Sequence, residues 1–550
     1  MTSSLGQAVA DKLRAAANER VEERVRLRDA TLWGPPGTAE IANRLGWLTI
    51  AERVLAEVDD LRAFADGVRG EGMRDVVLLG MGGSSLAPEV LRRCFQPRPG
   101  HPRLQVLDST DAAVVRAVAE SVDVKRTLFL VSSKSGGTIE PLSLFSHFWS
   151  LHGRGENYAA ITDPGSGLEE LAKAHGFRRV FHGDPEIGGR YSALSVFGMV
   201  PGALIGVDVA ALLRAAPEAW QTPLRSAPGA AGQDGSGEAS LPAAIWLGVA
   251  LSALARAGRD KLTFVISGTL PGLGLWLEQL VAESTGKRET GILPVAEEPL
   301  GALGDYGEDR VFAYLPDVLQ PDPQLDAHAQ ALAQDGHPVI TLPTRGPGDL
   351  GRVFMLWELA VAVAGWGLEI NPFDQPNVQQ AKDATARVLA DFERRHELPS
   401  EPATDADAAA AWLAEASPPG YVAIMGYLRP SEDFDAAVAE LRRALRGPTK
   451  ATTTFGYGPR FLHSTGQFHK GGPKIGRFLQ LLHDEPPDVE IPGAGYGFTT
   501  LKNAQAIGDL ETLRALGLRA ERVRLRDEPA SEVLDLAAGV TRNAASRRPT

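Results

Sequence analysis

This sequence has almost no cysteine and no long apolar run. Cys94 is its single cysteine among 550 residues, so no disulfide can form within the chain, and we expect a reducing compartment. No uninterrupted apolar stretch approaches the ~18 residues that a membrane-spanning helix needs, and the N-terminal residues lack the apolar core of a signal peptide. The sequence therefore predicts a cytoplasmic protein.

Positive charge is also scarce. The 56 lysines and arginines are outnumbered by 69 aspartates and glutamates, which gives a formal net charge of -13. Nucleic acids and anionic membranes both bind to basic surfaces, so we expect neither as a partner. A small basic pocket for an anionic metabolite is compatible with this charge.

Common metal-binding and nucleophile motifs are missing as well. The eleven histidines are scattered, without an H-x-H or H-E-x-x-H spacing. The G-x-S-x-G elbow of the serine hydrolases is absent too. We therefore expect no metal and no cofactor, and a chemistry of proton transfer between side chains.

From residue 74 onward, short apolar strands alternate with helices. This alternation predicts an α/β fold with doubly wound parallel sheets, covered by helices on both faces. Before it, amphipathic helices are expected over 5–30 and 38–69, and the Gly-rich stretch Ser226–Ser240 is interpreted as a flexible linker. A polar, Ala-rich stretch at 396–418 precedes the last unit. The predicted units are a helical segment at 1–70 and α/β units at 71–225, 241–395 and 419–550.

Two polar loops follow predicted strands directly, and both fit a phosphate. They are "GMGGSS", from Gly80, and "SSKSGGT", from Ser132; in parallel sheets, ligands bind beyond the carboxyl ends of the strands. Gly82 and Gly83 would let backbone N–H groups approach an oxyanion at a helix N-terminus. Hydroxyl groups and one cation complete the set, from Ser84, Ser133, Ser135, Thr138 and Lys134. Such groups match a phosphate monoester.

Each of these loops could instead have a purely structural role. The first could be a simple tight turn, and the second could be a helix N-cap. A dinucleotide is the rival ligand, because Asp108 ends the second strand, where an acid would contact the ribose. The G-x-G-x-x-G fingerprint fails, however, at Ser85.

Candidate catalytic groups lie on separate segments. Glu283 follows Gln279 by four residues, on one side of a predicted helix, and its place at the helix C-terminus favours a raised pKa and general-base chemistry. Arg190, after two glycines, could stabilise an oxyanion, and His463 could pass protons. Each could instead be an ordinary surface or structural residue. Gln375 and Lys382 would share a helical face if the helix begins near Gln375.

Five motifs resemble the glucose-6-phosphate isomerase (phosphoglucose isomerase) family, whose members contain two sugar isomerase domains. They are "GMGGSSLAPEVL", "VSSKSGGTIEP", "EIGGRYSALSVFG", "EQLVAESTGK" and "NPFDQPNVQQAK". Together with "YGPRFLHSTGQFHKGGPKIGRF", their wording is most similar to the isomerase half of bifunctional transaldolase–glucose-6-phosphate isomerases. The chain starts where that half would start, so no transaldolase barrel is expected before it.

The resemblance implies roles for the matching residues. It implies phosphate binding by Gly83, Ser84, Ser133, Lys134, Ser135 and Thr138. It makes Glu283 the base that moves a proton between C1 and C2, Arg190 the group that stabilises the enediolate, and His463 the ring-opening group. Gln279, Gln375 and Lys382 fall on substrate-contacting positions, and Lys382 is counted with the catalytic set.

One departure from the family pattern matters. The "LHSTGQ" motif follows "NPFDQP" by about ninety residues here, whereas it precedes it in ordinary members. Either the C-terminal unit folds back onto the cleft, or the partner in a homodimer supplies His463. The resemblance implies interconversion of glucose 6-phosphate and fructose 6-phosphate. The alternatives are another aldose–ketose isomerase, for example one that also accepts mannose 6-phosphate, and a non-catalytic sugar-phosphate-binding regulator.

Overall fold

The computed structural model describes residues 3–221 and 241–546. The stretch Ser226–Ser240, which the sequence predicts to be a linker, lies outside these residues. The N-terminal segment forms α1 (Ser3–Asn18), α2 (Val21–Arg26), α3 (Ile50–Ala56) and α4 (Val58–Gly70). The two longer helices expected from the sequence are therefore wrong in extent. Arg20 is in the left-handed conformation, with φ of 54°, and this interrupts the helical hydrogen-bond ladder. The N–H of Gly46 donates to the Glu186 carbonyl oxygen at 3.0 Å, which ties Gly46 to a distant loop.

The first sheet has five parallel strands. They are β1 (Asp75–Gly80), β2 (Arg103–Leu107), β3 (Thr127–Ser132), β4 (Tyr158–Thr162) and β5 (Arg179–His182), in the order β2-β1-β3-β4-β5. The intervening helices are α5 (Leu86–Cys94), α6 (Ala112–Ser121), α7 (Ile139–Leu151) and α8 (Gly167–Ala174). The strand order reverses between β1 and β3, whose last residues, Gly80 and Ser132, are paired. The two polar loops therefore leave the sheet side by side, where ligands of such sheets bind.

A second sheet follows α9 (Val196–Leu204), α10 (Val209–Ala215) and α11 (Ala243–Arg256). Its parallel strands are β6 (Lys261–Ile266), β7 (Leu293–Val295), β8 (Arg310–Leu315) and β9 (Val339–Thr341), in the order β7-β6-β8-β9. Its helices are α12 (Leu273–Thr285), α13 (Pro323–Gln334) and α14 (Leu350–Leu368), followed by α15 (Val378–Arg395). The segment Pro347–Leu368 could cross a membrane by length and composition alone, but its apolar window is wholly buried in the protein, which is typical of a core helix.

The C-terminal unit holds the third parallel sheet. Its elements are α16 (Ala406–Leu413), β10 (Tyr421–Tyr427), α17 (Glu432–Thr449), β11 (Thr452–Tyr457), α18 (Gly466–Gly471), β12 (Gly476–Leu482), α19 (Phe498–Ala515), β13 (Arg519–Arg524) and α20 (Pro529–Ser546). The strand order is β11-β10-β12-β13. The elements that the sequence did not predict are α9, α10, α16, α18, α20 and β5. The predicted fold class, α/β with parallel sheets, is confirmed, whereas the domain limits stay predictions.

The C-terminal unit packs against both other sheets. Phe498 and Leu501 share a buried apolar cluster with Phe129 of the first sheet. Against the second sheet lies a buried group of charges, in which Glu298 pairs with Arg310 at 2.9 Å and with Arg446 at 3.4 Å. These contacts place the segment that carries His463 over the carboxyl edge of the first sheet.

Candidate functional site

The first polar loop is packed tightly against two other segments. Gly82 has a φ of +54°, and a Cβ atom there would lie 2.8 Å from the His463 carbonyl oxygen. A Cβ atom on Gly83 would lie 2.1 Å from the carbonyl oxygen of Gly189. The lack of side chains therefore lets the segments of Arg190 and His463 approach the loop, which is a role that the sequence did not predict. Ser84 is buried beside these glycines.

The second polar loop arranges hydroxyl groups at the start of α7. The Ser133 hydroxyl donates to Thr138 Oγ1 at 3.2 Å, whereas Ser135 is exposed. Thr138 precedes the first helical residue, yet its side chain makes no capping hydrogen bond. Thr138 therefore stands at the N-cap position, as the alternative interpretation expects, but its hydroxyl does not cap the helix.

Lys134 has protein partners in this structure. Its ammonium group donates to the Asp163 carboxylate and, at 2.9 Å, to the Asp184 carbonyl oxygen. Burial lowers the pKa of Lys134, and the hydrogen bond and charge of Asp163 oppose that change. A phosphate in this loop would thus share Lys134 with Asp163, a competitor that the sequence did not reveal.

Glu283 and Arg190 form a buried pair. Glu283 is 5% exposed in the last turn of α12, and burial raises its pKa, against the charges of Arg190, His463 and Lys287. Arg190 Nη1 lies 3.6 Å from Glu283 Oε2, and Gln279 Nε2 donates to the same oxygen at 3.3 Å. A carboxylate with a raised pKa can take up a proton from a substrate, and the fixed guanidinium beside it can stabilise the negative charge that develops on the substrate.

The guanidinium of Arg190 is held by backbone and side-chain acceptors. Its Nε donates to Ser284 Oγ at 2.8 Å, and Nη2 donates to the carbonyl oxygens of Pro372 and Asp374 at 2.6 and 2.9 Å. Arg190 is 2% exposed, so the surface interpretation of this residue is wrong. Lys287 Nζ holds the same loop through the Asn371 carbonyl oxygen, at 2.6 Å.

His463 reaches the site within the same chain. Its carbonyl oxygen accepts from Gln279 Nε2 at 2.8 Å, and its Nε2 lies 2.8 Å from Glu140 Oε1. Burial would raise the pKa of Glu140, but the charge and hydrogen bond of His463, with a backbone hydrogen bond and the charge of Lys382, hold that pKa below its usual value. The ionised carboxylate can only accept, so Nε2 carries the imidazole proton.

Glu140 is a site residue that sequence reasoning missed. It stands two residues after Thr138, in "TIEP", and an acid in the first turn of a helix is common for electrostatic reasons alone. The signal that could have found it is its place beside the second polar loop, facing the same edge of the sheet.

Lys382 and Gln375 are separated by the start of a helix. α15 begins at Val378, so Gln375 precedes it and does not share a helical face with Lys382. Both residues are exposed. Lys382 lines a cavity of about 170 Å³ together with Thr138, Glu140, Asn377, His463, Lys470 and Gln505. Glu283 and Arg190 do not line this cavity; Gln279 links them to His463.

The described part of the chain contains no group of three or more histidine, cysteine, aspartate or glutamate side chains placed to hold a metal ion. That a metal and a cofactor are unnecessary stays a prediction.

A family model described as phosphoglucose isomerase matches residues 50–290. The match includes both polar loops, Arg190 and Glu283, whereas Gln375, Lys382 and His463 lie beyond it. The glucose-6-phosphate isomerase of Prochlorococcus marinus (strain MIT 9313) is 30% identical over 387 residues, which cover 62% of this chain and 69% of that protein. The glucose-6-phosphate isomerase of Rubrobacter xylanophilus is 28% identical over 376 residues, which cover 58% of this chain and 84% of that protein.

Among solved structures, a hypothetical protein from Thermus thermophilus aligns with a TM-score of 0.56 and 24% identity. The alignment covers 71% of this chain and 98% of that one, and this likeness concerns the fold alone. The narrower resemblance to the isomerase half of bifunctional enzymes stays a prediction.

Proposed function

This chain belongs to the phosphoglucose isomerase family, and on that premise we propose that it interconverts glucose 6-phosphate and fructose 6-phosphate. The observation that carries the proposal is the buried pair of Glu283 and Arg190, 3.6 Å apart, joined through Gln279 to His463. A non-catalytic binding protein needs no buried carboxyl group with a raised pKa beside a fixed cation.

Glu283 acts as the general base. It removes the proton from C2 of the open-chain sugar and returns it to C1, through a cis-enediolate. Arg190 stabilises the negative oxygen of that intermediate. General-base catalysis is typically worth 10²–10⁴-fold, and orientation and oxyanion stabilisation supply the rest.

His463 opens the sugar ring. Since Nε2 donates to Glu140, Nδ1 is the ring nitrogen that can exchange a proton with the substrate. Nδ1 takes no part in that hydrogen bond. Glu140 stabilises the imidazolium that forms, as buried carboxylates do in catalytic dyads.

The phosphate of the substrate binds at the two polar loops. Ser84, Ser133 and Thr138 supply hydroxyl groups to the phosphate. Lys134 supplies an ammonium group, which also pairs with the Asp163 carboxylate. Gly83 and Ser135 complete the proposed set. Binding energy at this remote group positions C1 and C2 over Glu283. Gln279, Gln375 and Lys382 are proposed to contact the sugar.

The proposed machinery lies within one chain, because the contacts of His463 with Gln279 and Glu140 are intramolecular. A homodimer, if it forms, is not needed to supply the histidine. The single cysteine, Cys94, supports a cytoplasmic location.

The test is an isomerase assay with fructose 6-phosphate, in which glucose-6-phosphate dehydrogenase reports the product. We expect turnover that survives exhaustive chelation and that keeps its specific activity on dilution. Absence of product would contradict the proposed function. Mannose 6-phosphate as a second substrate would show whether the C2 configuration is discriminated.

A further inference from the structure

A buried chain of hydrogen bonds leads away from His463 to two residues with no role so far. Glu140 Oε1, which accepts from His463 Nε2, also accepts from Gln505 Nε2 at 2.7 Å. Gln505 Oε1 in turn accepts from the Thr110 hydroxyl at 2.7 Å. Thr110 and Gln505 are 0% and 2% exposed. The chain joins α19 of the C-terminal unit to the loop after β2.

The carboxylate of Glu140 fixes the orientation of the Gln505 amide. The Glu140 carboxylate is ionised and accepts only, so the NH₂ group must face it. The amide oxygen then faces Thr110, whose hydroxyl can donate to it. Thr110 donates to the amide oxygen in this orientation and so holds the side chain in place. A flipped amide would turn its oxygen toward the Glu140 carboxylate, which would repel it.

Gln505 and His463 compete for one carboxylate oxygen. A hydrogen bond to the charged form of an acid stabilises that form and lowers its affinity for a proton. A carboxylate that already accepts from Gln505 therefore attracts the imidazole proton less strongly. The geometry also holds Glu140 Oε1 at one place, which fixes the ring of His463.

We propose that Gln505, held by Thr110, is a positioning residue that orients His463 and limits its proton affinity through Glu140. This inference rests on the proposed function for its effect on catalysis, but its effect on His463 can be measured without any substrate. On this inference the C-terminal unit has two roles. It supplies His463, and it supplies Gln505, which limits the proton affinity of His463.

Other charged groups face this pair and stay constant in the test. Lys382 of α15 acts on Glu140, and Lys470 of α18 lines the same cavity. Glu283 of α12 feels the charge of His463. The charge of Glu140 also acts on the Tyr427 hydroxyl, at the end of β10, and contributes to raising its pKa.

The experiment compares Gln505→Leu and Thr110→Val with the unchanged protein. Nitrogen NMR of the labelled full-length protein gives the pKa of His463, assigned by the loss of its signals in His463→Gln. Asn503→Leu is the matched control, because Asn503 is buried on the same helix but donates to Asp484 at 3.0 Å. Circular dichroism checks that each variant is folded.

We expect Gln505→Leu to raise the pKa of His463 by roughly half to one pH unit. Thr110→Val keeps the shape of the side chain and should raise it by less, and Asn503→Leu should leave it unchanged. On glucose 6-phosphate, kcat/KM of Gln505→Leu should fall roughly tenfold, which is part of the 10²–10⁴-fold that acid–base catalysis supplies. The loss should be smaller on erythrose 4-phosphate, which is too short to cyclise.

An unchanged or lowered pKa of His463 in both Gln505→Leu and Thr110→Val would overturn the inference. So would an equal rise in Asn503→Leu, since it would show a general effect of helix α19. If the unchanged protein has no isomerase activity, the proposed function fails, while the NMR shift still decides whether Gln505 tunes His463.

Discussion

The phosphate side and the proton-transfer side of this site are built in opposite ways. The phosphate side comes from two loops of one sheet, within residues 80–138, and Lys134 and Ser135 are partly or fully open to solvent. The proton-transfer side joins Glu140, Arg190, Glu283 and His463, from four separate segments, and is largely buried. A phosphate must enter and leave, whereas a general base gains from the low dielectric that raises its pKa.

The largest effect is expected from Glu283→Gln. The amide keeps the shape but cannot take the C2 proton, so kcat should fall by at least 10²–10⁴-fold with KM little changed, as for an interaction made only in the transition state. The measurement is kcat and KM, with solvent-deuterium exchange at C2.

Glu278→Gln is the matched control for this variant. Glu278 lies on the same helix, and burial raises its pKa to about 8, so it is largely uncharged already and its variant should stay active. Normal exchange at C2 in Glu283→Gln would remove the base from the mechanism.

His463→Ala should lose activity selectively. We expect a loss of about 10²-fold on glucose 6-phosphate and a smaller loss on erythrose 4-phosphate, which needs no ring opening. The two substrates are compared by kcat/KM. His483→Ala, which removes a histidine of the same unit that contacts the Leu525 carbonyl, should keep both activities. Equal losses on both substrates would contradict the ring-opening role.

Lys134→Ala should act on binding. Loss of a charge-assisted hydrogen bond costs about 1.5–3 kcal/mol, so KM for the sugar phosphate should rise about tenfold or more, and inhibition by inorganic phosphate should weaken. Asp163→Asn is expected to do the reverse, because it removes the competitor for the Lys134 ammonium group. Unchanged KM and phosphate inhibition in Lys134→Ala would show that Lys134 serves Asp163 alone.

The smallest effect concerns pH. Glu283 must be ionised to act, and burial raises its pKa, so activity is present above that raised pKa and is lost as the pH falls through it. The acid limb of kcat/KM should lie above the range of an ordinary glutamate, about 4.3. Measuring the profile in His463→Ala with erythrose 4-phosphate isolates Glu283 from the histidine. A limb at the ordinary value would mean that Glu283 is solvated in solution.

Much of the fold could be predicted, because buried parallel strands leave a local signal. β1 and β3 are buried throughout and each contains four consecutive apolar residues, and the loops after them carry recognisable motifs. β5 escaped prediction since only Phe181 of its four residues is buried. The helices expected over 5–30 and 38–69 were too long. The spacing of apolar residues predicts neither the left-handed backbone conformation of Arg20 nor the contact of Gly46 with Glu186.

The site could be predicted as a set of residues but not as a network. Glu283, Arg190 and His463 stand in motifs, whereas the partners that fix their chemistry lie far away along the chain. Glu140 accepts side-chain hydrogen bonds from His463 and Gln505, which follow it by more than three hundred residues. Lys134 likewise gains Asp163 only when β3 and β4 pair. Burial and hydrogen bonds of this kind depend on tertiary contacts, and local sequence does not carry them.

The position of His463 also sets a timetable for synthesis. A ribosome completes Glu283 about 180 residues before His463, which is roughly 10–40 s of translation at ordinary rates. During that interval the nascent chain carries the loops and the base, but Glu140 lacks both of its side-chain hydrogen-bond donors. A chain that ends before Gln505 therefore contains the base and the phosphate loops but lacks the residue that we propose to tune His463.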